Sequence, residues 1–216
     1  MKFKNYLIEI EKKDQPLEHI RNKTIIEMLE KDCKQFLKES RGTFIWRGVK
    51  NLQSKMGGKD YIKIKPRINR QPTDTPLYIH KYVDKVFKEK FGWPARSEGV
   101  FVTGEKARAR YFGELASVWP IGSFKFVWSP SVRDFTVDMP TDLVDYESMD
   151  ELPVGAEIDL IEILESYTNK DLLQAIRMNK EIMIKCKEYY LIPSWISTDP
   201  SFGVFRGSQF VLKDYA

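Results

Sequence analysis

Gly99-Val100-Phe101-Val102-Thr103-Gly104-Glu105-Lys106-Ala107-Arg108-Ala109-Arg110-Tyr111-Phe112 changes character halfway. Its opening is apolar and β-branched, so 99–103 reads as a strand that ends on a hydroxyl. Past Gly104 come good helix formers, and 105–111 reads as a helix with Glu105 at the positive end of its dipole. Strands and helices that follow one another in this way along the chain make one α+β domain.

Upstream, 43–49 (TFIWRGV) is a second short strand. Before it, 5–39 reads as helical. Pro16 suits a first turn, and Leu17, Ile20, Ile25, Met28, Leu29, Phe36 and Leu37 recur at helical spacing until Ser40-Arg41-Gly42 stops the run. Residues 50–75, with Gly57-Gly58, Pro66 and Pro72 among many Lys and Arg, form a long basic loop that carries a strand at 61–64. A helix over 76–91 follows, with Ile79, Val83, Val86 and Phe87 as its stripe and Gly92 just past its end.

Downstream, 123–128 alternates as a strand, and 159–164 is an apolar run interrupted by acids. Asn169 or Asp171 can cap a helix through about Met178. Then 181–186 and 189–192 read as two strands or one long one, and the tail 202–212 alternates around Gly203 and Gly207. A helical segment over 1–42 thus precedes an α+β domain over 43–216, together one compact unit.

The 216 residues suffice to bury a core without disulfides or metals. At 42% hydrophobic and 31% charged, the chain is neither disordered nor fibrous. No run approaches ~18 apolar residues, so no membrane span is expected. The start, MKFKNYLIEIEKKDQ, is too charged for a secretory signal. Two cysteines and no CxxC pair leave neither a disulfide framework nor a zinc site, so a cytoplasmic protein without metal is expected. The net charge of +4 hides an asymmetry. Residues 47–110 hold 16 Lys and Arg against 6 Asp and Glu, a net +10; residues 134–171 hold 12 acids against Lys170, a net −11. A basic block of this kind meets phosphates on a dinucleotide or a nucleic acid, or is a solvated face balanced by the acidic one.

Phosphate-loop, dinucleotide-fingerprint, zinc-protease and serine-hydrolase motifs are absent. Of the two histidines, His19 and His80, the second sits beside a helix stripe and reads as a boundary residue. Three strand-associated segments remain. Phe44-Ile45-Trp46-Arg47-Gly48 places an arginine in an apolar strand, where its charge needs an anion or a carboxylate. Gly48 lets a flat ligand approach the backbone. The second segment ends its strand on Thr103, and the third, Asn179-Lys180-Glu181-Ile182-Met183-Ile184, opens a strand with an acid.

This order, Arg-Gly strand, hydroxyl strand with an aromatic-bearing helix, and Glu strand, resembles the Arg–Ser/Thr–Glu branch of the ADP-ribosyltransferase superfamily, including its phage-encoded and bacterial-toxin members. FIWRGV is similar to the family's W-R-G-V strand, NKEIMI to its Glu strand, and GVFVTGEKARARYF to its Ser-Thr-Ser strand and following helix, with Thr103 supplying the last hydroxyl. The resemblance implies a split β-sheet core with flanking helices, and a mono-ADP-ribosyltransferase that uses NAD and releases nicotinamide. Glu181 would stabilise the cationic ribose, and Arg47 would hold the NAD phosphates or ribose. Gly48 would present backbone to the nicotinamide amide, Thr103 would orient Glu181 or the ribose, and Tyr111 or Phe112 would stack on the ring. Position 179 is Asn where arginine-modifying members carry Glu, so the macromolecular acceptor stays open between a DNA or RNA base and a protein side chain.

In the basic loop, Lys63, Lys65 and Arg67 alternate with Ile62, Ile64 and Pro66 and share one face of an extended chain, a phosphate-tracking edge that Arg70, Arg96, Arg108 and Arg110 can extend. The contrasting expectation is a non-catalytic nucleic-acid-binding module built on 50–110. A third is an interaction protein that keeps an enzyme fold without its chemistry.

Overall fold

The computed structural model describes residues 17–206 and 209–215. The N-terminal helix is present from Leu17 onward in two pieces, Leu17–Asp32 and Lys34–Ser40; residues 5–16 of that expectation, and Gly207, lie outside the described residues. The joint is Cys33, whose φ of −112° and ψ of 27° depart from helical values. The second piece ends where Ser40-Arg41-Gly42 places its end, with Arg41 left-handed at φ 50°. Ile25, Ile26, Leu29, Cys33, Phe36 and Leu37 enter the same core as the sheet, so these helices pack as part of the domain.

Strands β1 (Trp46–Val49), β2 (Ile62–Ile64), β3 (Val100–Thr103), β4 (Glu114–Pro120), β5 (Phe124–Trp128), β6 (Glu181–Cys186) and β7 (Tyr189–Pro193) form an antiparallel sheet in the order β2-β7-β4-β1-β3-β6-β5. A separate hairpin joins β8 (Gly203–Arg206) to β9 (Gln209–Leu212). The strand expected over 43–49 begins only at Trp46, because its first half turns to the hairpin: Thr43 bridges Val211, and Phe44 N donates to Phe210 O at 2.9 Å.

The helices Leu77–Phe91, Lys106–Tyr111 and Leu172–Arg177 lie where the pattern puts them. Asp171 caps the last of these, its Oδ1 accepting from Gln174 N at 3.0 Å. The acid-interrupted run at 159–164 belongs to a longer helix, Val154–Glu165, which buries Ala156, Leu160 and Leu164. The basic loop contains a short helix, Leu52–Met56, as well as β2.

The sheet cannot be flat. β6 and β7 stand four strand intervals apart in the order, about 19 Å in a flat sheet. Only Lys187 and Glu188 connect them, a reach of about 11 Å. β4 and β5, also in different halves, are joined by residues 121–123. The halves β2-β7-β4-β1 and β3-β6-β5 therefore fold onto each other, with Ile121 N donating to Glu188 O at 3.0 Å where the chain crosses over. At the other end they part: β1 and β3 share a single register pair, Trp46 opposite Thr103, whereas β1 and β4 share four. One apolar cluster, with Ile182, Ile184, Val102, Leu191 and Ile192, fills the space between the halves. A second, with Val127 and Met183, covers the outer face of β3-β6-β5 beneath Leu77–Phe91 and Val154–Glu165. No described helix is long and apolar enough to cross a membrane.

Candidate functional site

The three sequence segments meet where the halves part. Thr103 on β3 stands opposite both Trp46 on β1 and Glu181 on β6. Register partners leave an antiparallel sheet on the same side, so Thr103 and Glu181 share a face. It is the face on which Phe101 and its partner Met183 meet the second cluster. Glu181 opens β6 directly after the turn at Asn179, which is left-handed at φ 56°. Its own N–H is fixed to Arg133 O at 3.1 Å.

The Glu181 carboxyl has one oxygen, Oε1, sealed from solvent with no hydrogen-bond partner. Burial is the main force that pushes its pKa up to about 7; Asp134 adds to this, while Arg96, Arg108 and Arg70 pull it back. An acid held neutral in part, with an orphan oxygen amid arginines, is costly in a merely structural role.

Three arginines, Arg96, Arg108 and Arg70, act on it, and Arg47 lies two strands away on β1. Arg47 donates from Nη1 to Phe101 O at 3.0 Å and has no carboxylate within 4.0 Å among the described residues. Burial lowers its pKa, and Arg67 lowers it further. Arg70 and Arg96 both lie over the Phe101 ring, at 4.2 and 5.6 Å from its centre. Arg96 is 6% exposed. Arg108 is paired with Asp134 at 2.6 Å in a largely buried ion pair. Asp134 also caps the helix Phe135–Asp138 through Thr136 N at 2.9 Å. Sealed, unpartnered nitrogens remain on Arg70, Arg96 and Arg108.

The other expected site residues divide. The Thr103 hydroxyl donates to Asn179 O at 3.3 Å and accepts from Glu105 N at 3.2 Å, so it holds two turns and does not touch Glu181. The space beside Gly48 is filled by protein: a Cβ there would stand 2.1 Å from Ala109 O. Tyr111 and Phe112 are exposed, at 86% and 52%, with their rings edge to face at 5.4 Å. They line a cleft of about 260 Å³ with Arg108, Arg133, Asp134 and Val137. Two of its lining residues, Arg108 and Asp134, are also charges that act on Glu181.

In the basic loop, Lys63, Lys65 and Arg67 are exposed between half-buried Ile62, Ile64 and Pro66, as alternation requires. Lys63 sits on edge strand β2 near Glu188 at 3.8 Å, three strands from β1. Arg67 and Arg70 instead lie close to Arg47. His80 is buried rather than a boundary residue. Its Nε2 faces Ser97 Oγ at 3.0 Å and Asp84 Oδ2 at 3.4 Å, and the Ser97 hydroxyl itself donates to Asp84. Both partners are on one ring nitrogen, so this is not a nucleophile–base–acid relay.

Asp134 is the site residue that sequence reasoning missed. Its signal was an N-cap pattern, Asp134-Phe135-Thr136, hidden in an acidic run. Comparison of this chain with family models, with curated proteins and with solved structures gives no match.

Proposed function

We propose that the chain is a mono-ADP-ribosyltransferase, which moves ADP-ribose from NAD to a macromolecular acceptor and releases nicotinamide. The observation that carries this is the Glu181 carboxyl, half-buried with an orphan oxygen, on the strand next to Thr103 and one further from Arg47, amid arginines. The parting of β1 and β3 after one register pair supports the split-sheet expectation.

In this chemistry the bond from the ribose anomeric carbon to the nicotinamide nitrogen breaks. Its electron pair leaves with nicotinamide, which becomes neutral, and the ribose carbon becomes cationic. Ionised Glu181 stabilises that charge and accepts from a ribose hydroxyl. The acceptor's lone pair then closes on the same carbon and its proton is lost. Arg47, whose fork lacks a carboxylate, holds a phosphate or the ribose. The cationic nicotinamide ring brings Glu181 toward its charged form on binding. Tyr111 and Phe112 offer exposed rings for a flat group, the nicotinamide or an acceptor base. A cytoplasmic setting, where NAD is at hand, goes with this reading.

The test is incubation with NAD labelled in the adenylate, with cell lysate split into protein and nucleic-acid fractions. Label is expected in one fraction, with nicotinamide released. Neither label transfer nor NAD consumption would end the proposal.

A second reading, a non-catalytic nucleic-acid-binding module, is favoured by the exposed row Lys63, Lys65 and Arg67. Its affinity would fall with salt at a slope of roughly −0.7 per phosphate neutralised on a single strand, and NAD would be left intact.

A further inference from the structure

Beside the site lies a cavity of about 50 Å³, whose walls include Arg70, Thr75, His80, Arg96, Phe101 and Thr136. A single water needs ~10–15 Å³, so there is room for a tetrahedral oxyanion. Its walls are built of buried polar groups. Arg96 spends Nη2 on Thr75 Oγ1 at 3.2 Å and leaves Nε and Nη1 sealed without a partner. Arg70 leaves Nη1 in the same condition. The Thr75 and Thr136 hydroxyls face each other at 3.3 Å.

Glu181 acts on both cations from a distance, but no described carboxylate pairs with either. Among the described residues neither Arg70 nor Arg96 has one within 4.0 Å of its guanidinium. The Asp84 carboxylate is taken up by the Arg96 and Ser97 N–H groups, at 2.8 and 3.1 Å, and by the Ser97 hydroxyl. Asp74 also lines the cavity but is exposed. Two guanidinium groups pressed on one ring, with donors to spare, form an environment that lacks only an anion.

We propose that this cavity is a phosphate subsite, in which Arg70 and Arg96, with the Thr75 and Thr136 hydroxyls, hold one phosphoryl group of a nucleotide. That the nucleotide is NAD rests on the transferase reading; the oxyanion site does not. Arg96 and Arg70 also act electrostatically on Glu181, which links the cavity to that carboxyl.

The experiment is calorimetric titration of the whole chain with inorganic phosphate and with ADP, repeated on R70Q and R96Q. Wild type binds both, and ADP displaces phosphate. Each variant binds roughly 10- to 100-fold more weakly, the loss of a charge-assisted pair. Arg70 is half-buried, so R70Q reports even if R96Q does not fold. No binding by wild type, undiminished binding by folded R70Q, or displacement of phosphate by a single-stranded oligonucleotide but not by ADP would each overturn the proposal. Intact ADP binding with no nicotinamide release would remove the transferase reading alone.

Discussion

Thr103 and Glu181 stand directly opposite each other on neighbouring strands, yet the Thr103 hydroxyl spends both its donor and its acceptor on backbone, at Asn179 O and Glu105 N. It ties the turn that introduces Glu181 to the turn that follows β3. Thr103 is thus a positioning residue: it sets where Glu181 enters its strand.

Replacing that buried hydroxyl by a methyl strands one donor and one acceptor. T103V is expected to lose about 1–3 kcal/mol in urea unfolding, while T103S keeps most of the stability. A larger loss in T103S than in T103V would mean that the methyl packing, not the hydroxyl, is what counts.

Glu181 gives a pH signature. Its pKa is raised on folding, from an ordinary 4.5 to about 7, so the folded state holds the proton more tightly than the unfolded one. The stabilisation is complete below pH 4.5 and is lost as pH rises through 7, at a cost of roughly 3 kcal/mol. E181Q cannot ionise. Relative to wild type it should therefore gain stability at pH 8 and not at pH 4.5, as read by urea midpoints at both values. A pH-independent difference would show that the carboxyl is not held neutral.

Breaking the Arg108–Asp134 pair leaves Asp134 charged beside Glu181 with nothing to balance it. R108Q is expected to cost about 3–5 kcal/mol, as for other buried pairs that lose one member. It should also move the alkaline shift of Glu181 further up, visible in the pH dependence of nicotinamide release. An unchanged pH profile would place Asp134 too far from the carboxyl to act on it.

Gly48 tests packing. G48A drives a methyl into Ala109 O and the backbone at Phe112 and Gly113, so the helix Lys106–Tyr111 has to move. The expected loss is about 1–3 kcal/mol or more, the usual price of overpacking, seen as a lowered thermal midpoint. An unaffected midpoint would mean that this helix gives way freely.

Much of the architecture was legible where strands end on turn residues and where stripes follow one period. The helices at Leu77–Phe91 and Leu172–Arg177 and strands β3, β5 and β6 fall within a residue or two of the pattern. β4 was not legible. Ala116, Val118 and Trp119 are all fully buried, because this strand is covered on both faces, so no alternation marks it. The order Arg47, Thr103, Glu181 could be read from the chain, but not the direction of the Thr103 hydroxyl, which depends on Asn179 seventy-odd residues away. Nor does anything in Trp93-Pro94-Ala95-Arg96 show that this arginine is buried while Lys63 and Lys65 face water. That distinction arises only when Phe101 becomes a platform for two guanidinium groups.

The most direct test of the site is the release of nicotinamide from NAD by wild type and by E181Q at matched fold content. Removing one preorganised charge-stabilising group costs roughly 10²- to 10³-fold in rate, and a loss of that size, with ADP still bound, is the expected result. Release by E181Q at the wild-type rate, or no release by wild type with any acceptor fraction, would contradict the role given to Glu181.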